Sequence, residues 1–289
     1  MVLGAVVVNA GLHRPELRPG TTFASKRLLR VAVVLLGLQL ALPQLVDLGA
    51  GGLLVVVATV AATFCGTLLL GRLLGVSPPR TLLVATGFSI CGASAVAAMK
   101  DVAGADEEDA GVAVALVTLC GSIAIVLLPA LRGPLGLDVQ AFGSWVGASV
   151  HDVGQTVATA DAVAGALTAA VVVKLSRVVL LAPLVAGVGL VRRRRGTAGT
   201  GRRPPLVPLF VAGFLAAIAV SSTGLLPDGA LSGARVVQQV LLAAALFGLG
   251  TGIHVATLRR TAGRALLLGL ASWVIVAVVA YAGVRLVEG

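Results

Sequence analysis

The chain has 289 residues, 58% apolar and 12% charged, with a mean hydropathy of +1.04, which excludes an ordinary soluble domain. Continuous Leu, Val and Ala runs with only 3% aromatic residues exclude a β-barrel, whose strands alternate and carry aromatic girdles. The net charge of +10 sits in short loops between apolar stretches, so membrane topology rather than nucleic acid accounts for it.

The expected class is therefore an all-α polytopic membrane protein. In chain order its apolar segments are roughly 1–12, 25–42, 50–74, 81–99, 109–131, 142–160, 164–191, 205–224, 235–257 and 264–286. That is about ten transmembrane segments. The first is too short to span alone, so it is expected to be re-entrant or to begin part-way through a helix. The start lacks the basic region and cleavage site of a secretory signal.

If every segment crosses, the loops after the odd-numbered ones hold most of the 22 basic residues: Arg14, Arg18, Lys26, Arg27, Arg72, Arg80, Arg132, Arg192 to Arg195, Arg202, Arg203, Arg259, Arg260 and Arg264. The other side holds Lys100, Arg235 and Arg285 beside the acidic run Asp106-Glu107-Glu108-Asp109. This split assigns the Arg-rich loops to the cytoplasm and the C-terminus to the outside. Cys65, Cys91 and Cys120 all lie in apolar segments with no metal-ligand spacing, and no metal or cofactor is expected.

Segment four carries the first functional signal. Its centre, Ser89-Ile90-Cys91-Gly92-Ala93-Ser94, is small and polar where a spanning helix should be apolar. Broken backbone at bilayer depth is tolerated where protein buries it or it lines a cavity, and secondary transporters build midplane sites this way. A partner is expected in segment nine, where Ala245 to His254 holds Gly248, Gly250, Thr251 and Gly252.

An internal repeat supports that pairing. Leu28-Leu29-Arg30-Val31 and Leu175-Ser176-Arg177-Val178 set an arginine in similar helices 147 residues apart. The expected organisation is a first five-helix repeat over 1–131 and an inverted second over 132–289, with a crossed pair of broken helices.

A broken helix offers free N–H groups and about half a positive charge at the start of its second half. Starts near Gly92 to Ser94 and near Thr251, with Arg30, Lys174 and Arg177 close by and no acidic residue in either break, point to an anionic substrate. Segment six adds Ser149-Val150-His151-Asp152-Val153-Gly154-Gln155. Read as one helix, it sets His151 and Gln155 on one face and leaves Asp152 to pair with Lys174 or Arg177. His151 suits either a coupled proton or a structural hydrogen bond. An intramembrane hydrolase using Ser89 or Ser94 with His151 or His254 is the reading from another class, without a recognisable nucleophile motif.

Five blocks then carry a family resemblance: LLRVAVVLLGLQL at 28–40, GFSICGASAVAA at 87–98, GASVHDVGQTVA at 147–158, KLSRVVLLAP at 174–183 and LFGLGTGIHVATLRR at 246–260. The chain resembles the YeiH-like family of bacterial inner-membrane proteins described as sulfate exporters, which usually carries Glu where this chain has Asp152. The family looks about eleven helices long, so MVLGAVVVNAGL resembles the tail of its second helix, expected from a start assigned too far downstream or a truncated variant. The resemblance implies the fold of sodium–proton antiporters and bile-acid-type carriers. It implies a small inorganic or sulfonate anion as substrate, a proton or sodium ion as coupled partner, and a homodimer in the bilayer. An organic acid on the same fold stays open.

Overall fold

The computed structural model describes residues 2–38, 49–194, 209–251 and 263–287, and among them every regular element is helical. In chain order these are α1 (Val2–Asn9), α2 (Arg18–Phe23), α3 (Leu29–Gly37), α4 (Gly49–Leu73), α5 (Pro78–Ser89), α6 (Ala93–Ala103), α7 (Glu107–Leu131) and α8 (Val139–Ser149). They continue with α9 (Val153–Ala160), α10 (Leu167–Val179), α11 (Leu181–Arg194), α12 (Leu209–Ser222), α13 (Asp228–Gly250) and α14 (Arg264–Val287). Among the described residues four stretches are long and apolar enough to cross a bilayer: Gly49–Leu73, Glu108–Leu131, Leu167–Arg192 and Arg264–Val287.

The helices fall into two compact units, one of residues 1–49 with 207–256, the other of 50–206 with 257–289. The smaller unit holds α1 to α3, α12 and α13. Within it Gly213 lets α12 approach Val34 on α3, and the Ser221 hydroxyl donates to the Leu38 carbonyl at 2.7 Å.

The larger unit contains two helical hairpins. Pro78 and Pro79 open α5, where their missing N–H groups cost nothing, and the helix stops at Ser89. Gly92, at φ +71°, turns the chain into α6. The turn reverses it. Arg80, in the first turn of α5, donates to Asp109 at 2.6 Å and Glu108 at 3.0 Å, in the first turn of α7. Three residues separate α6 from α7, so α6 must return to the end where α5 began. Across the tip, a Cβ at Gly87 would lie 2.9 Å from Val96 Cγ2.

The second hairpin has the same logic. Asp138 caps α8 by accepting from the Ala141 amide at 2.8 Å, and α8 ends at Ser149. Val150 and Asp152 are extended, and α9 follows. Gly165, just beyond α9, sits against Val139 at the start of α8, so this segment too doubles back. Gly143 and Gly147 then let α8 lie directly on α10: a Cβ on either would be 2.5 Å from the Ala166 or Ala170 carbonyl.

The hairpins enter from opposite ends. Along α14, Arg264 lies beside Gly75, just before α5, whereas Tyr281 donates to the Leu135 carbonyl, just before α8. Trp145, midway along α8, donates to the Ala277 carbonyl at 2.9 Å. Two expectations change as a result. Segments 81–99 and 142–160 are hairpins rather than crossings, so the sidedness count based on every segment crossing does not hold here. Arg80 and the acidic run 106–109, expected on opposite faces, share one end. In segment nine α13 is helical to Gly250, and the expected partner break, with Gly252 and His254, lies outside the described residues.

Candidate functional site

The two hairpin tips meet. Gly92 faces Asp152 closely enough that a Cβ there would lie 3.5 Å from Asp152 Cβ and 3.6 Å from its nitrogen. Three kinds of chemistry converge at this point: two helix C-termini, two helix N-termini and one imidazole.

The C-termini are neutralised by α10. A helix that ends in an apolar interior leaves carbonyls without partners and a partial negative charge. Arg177 donates to the carbonyls of Phe88 at 3.0 Å, Ser89 at 2.6 and 3.1 Å, Ala148 at 2.5 Å and Val150 at 3.2 Å. Lys174 donates to the carbonyls of Val150, His151 (3.4 Å) and Ile90 (3.5 Å). Both side chains are 0% exposed. They tie the ends of α5 and α8 to one helix, so their hydrogen bonds serve the fold. From the sequence, Lys174 and Arg177 are expected as positive charge near the anion or as partners of Asp152; in the structure both donate to backbone carbonyls.

The N-termini differ from each other. Asp152 caps α9 with its own carboxylate, accepting from the Gly154 amide at 2.8 Å, and Gln155 closes a capping box by accepting from the Asp152 amide at 3.3 Å. Asp152 is thus an N-cap, and His151 precedes the helix, so His151 and Gln155 do not share a helical face. The Gln155 amide also donates to the Thr118 carbonyl on α7 at 3.3 Å, an approach possible only because Gly121 has no side chain. At the start of α6, Gly92 provides no side-chain cap. Helix geometry leaves the amides of Ala93 and Ser94 without an intrahelical acceptor, and Ser94 is exposed.

Between the tips lies His151, 0% exposed, its ring 4.3 Å from that of Phe88. Neither ring nitrogen makes a hydrogen bond of ordinary geometry, the Phe88 backbone giving it only a weak interaction. A buried polar group without a well-formed bond costs about 1–3 kcal/mol, so this imidazole calls for an explanation that the fold alone does not supply.

The structure therefore brings together Ser89, Cys91, Gly92, Ser94, His151, Asp152, Gln155, Lys174 and Arg177. Cys91 is buried at the first tip. Ser89 spends its hydroxyl on the Ala85 carbonyl at 2.6 Å rather than on His151. Arg30, exposed on α3, and Gly250 and Thr251, at the end of α13, belong to the other unit. Thr251 is buried there and donates to the Gly248 carbonyl at 2.8 Å. Sequence reasoning missed Phe88, Gly121, Gly143 and Gly147, although the last two already stood as Gly-x-x-x-Gly. Among the described residues no cluster of His, Cys, Asp and Glu is arranged to hold a metal.

Comparison with known proteins agrees with the resemblance carried by the five blocks. The family described as Conserved hypothetical protein 698 matches residues 1–269. A UPF0324 membrane protein of Corynebacterium glutamicum is 42% identical over 288 residues, covering 99% of this chain and 84% of that protein. A second, of Agrobacterium fabrum, is 35% identical over 93% of this chain and 78% of its own length. The UPF0324 inner membrane protein YeiH of Salmonella typhi is 34% identical over 96% of this chain and 82% of its own. No solved structure matches. The chain, helical and membrane-embedded, belongs to the YeiH-like UPF0324 family of membrane proteins.

Proposed function

We propose that this protein is a secondary transporter that moves a small anion, sulfate, sulfite or a sulfonate, outward across the bacterial inner membrane by alternating access. The observation that carries this reading is His151, a fully buried imidazole whose nitrogens both lack a well-formed hydrogen bond, where α6 and α9 begin. Amides at the uncapped start of α6 and the exposed Ser94 hydroxyl supply the remaining donors. The α9 start already holds the Asp152 carboxylate, so the substrate belongs at α6. In this reading Asp152 and His151 carry the coupled proton.

The end of the larger unit bearing Arg72, Arg80, Lys100, Arg192, Arg194 and Arg264 is the cytoplasmic one in this reading, with Arg132 and Arg285 at the other. The test is flux of labelled sulfate, sulfite and a small sulfonate in proteoliposomes, with and without an imposed pH gradient. Movement of one of them above empty liposomes is expected, and no movement of any overturns the anion assignment.

A further inference from the structure

The two hairpins correspond element by element, with a few residues in register. A shift of 60 positions lays Gly87-Phe88-Ser89-Ile90 on Gly147-Ala148-Ser149-Val150 and Asp101 on Asp161. The elements follow the same shift: α5 onto α8, α6 onto α9, and α7, which begins at Glu107, onto α10, which begins at Leu167. Even the side-chain bonds match, since Ser89 donates to Ala85 and Ser149 to Trp145, each four residues back and each at 2.6 Å. Because one hairpin enters beside Arg264 and the other beside Tyr281, the copies are inverted.

We infer that residues 78–194 form an inverted-topology repeat whose two hairpins open one central site in turn to opposite membrane faces. The topology stands by itself, and the gating rests on the transport reading above. Inverted repeats are how many secondary transporters reach their two access states. The structure has the asymmetry this requires: Ser94 at the first helix start is exposed, while its counterpart Gly154 is buried. If the copies exchange conformations, the second state buries Ser94 and opens the start of α9.

Topology is tested by cysteines introduced one at a time into a Cys65→Ala background, where Cys91 and Cys120 are buried and the unsubstituted background is the labelling control. Ser77→Cys and Ala105→Cys flank the first hairpin, Pro134→Cys and Ala164→Cys the second. With a membrane-impermeant maleimide on right-side-out and inside-out vesicles, the first pair is expected to label from one face and the second pair from the other. Ser77→Cys and Ala105→Cys on opposite faces overturn the repeat. For the gates, Ser94→Cys and Val153→Cys are expected to label from opposite faces, and labelling from the same face overturns the gating. Absent anion flux with the expected labelling counts against the transport reading and leaves the repeat standing.

Discussion

The two hairpin tips share a backbone plan and differ in their side chains. The first, Cys91-Gly92, carries no ionisable group beyond a thiol and leaves the α6 start uncapped. The second, His151-Asp152, carries an imidazole without a well-formed hydrogen bond and fills its own helix start with a carboxylate. In the proposed reading the first tip receives the anion and the second handles charge. What holds both is common to them, because Arg177 reaches carbonyls at the ends of both α5 and α8.

The largest expected effect comes from removing that common support. Arg177→Ala leaves carbonyls at both tips without a donor in a buried site and should cost about 3–5 kcal/mol. Thermal unfolding in detergent should show the loss, with Lys174→Ala milder because two of its three bonds are 3.4 Å or longer. Equal losses from the two would mean the tips are not held as described.

Next come the two tip positions themselves. Gly92→Ala forces a side chain into φ +71° and toward Val117, at an expected cost of about 1–3 kcal/mol. Asp152→Ala removes a cap, at about 1 kcal/mol, whereas Asp152→Asn keeps it and should lose less in the same melt. If Asp152→Asn is as damaging as Asp152→Ala, the carboxylate has a structural partner beyond the cap. The smallest stability effect belongs to His151→Phe, which removes two buried nitrogens that lack well-formed hydrogen bonds. Its melting temperature should stay level or rise by a few degrees.

The sequence displayed the first break, since Gly and Ser in mid-segment are incompatible with an ordinary spanning helix. It also displayed two buried cations, because Lys174 and Arg177 stand within an apolar run. The second break is legible in the same way: Asp152 with Gln155 three residues on is a capping-box pattern that marks a helix start inside segment six. Direction was not legible. Apolar length gives the same signal for a hairpin of two half-helices and for one spanning helix. Only the meeting of Arg80 with Asp109 and of Val139 with Gly165 separates them. The 60-residue relation stayed hidden because few identities survive it, and the 147-residue similarity drew on Leu and Val composition.

The central claim is that the anion is held where His151 and the start of α6 converge. The most direct measurement is labelled sulfite and sulfate flux through wild type and His151→Phe, reconstituted side by side at equal protein density and matched for melting temperature. The account predicts flux in the wild type and a drop of about tenfold or more in the variant, the size of a lost buried polar contact. Undiminished flux through a folded His151→Phe protein would contradict it.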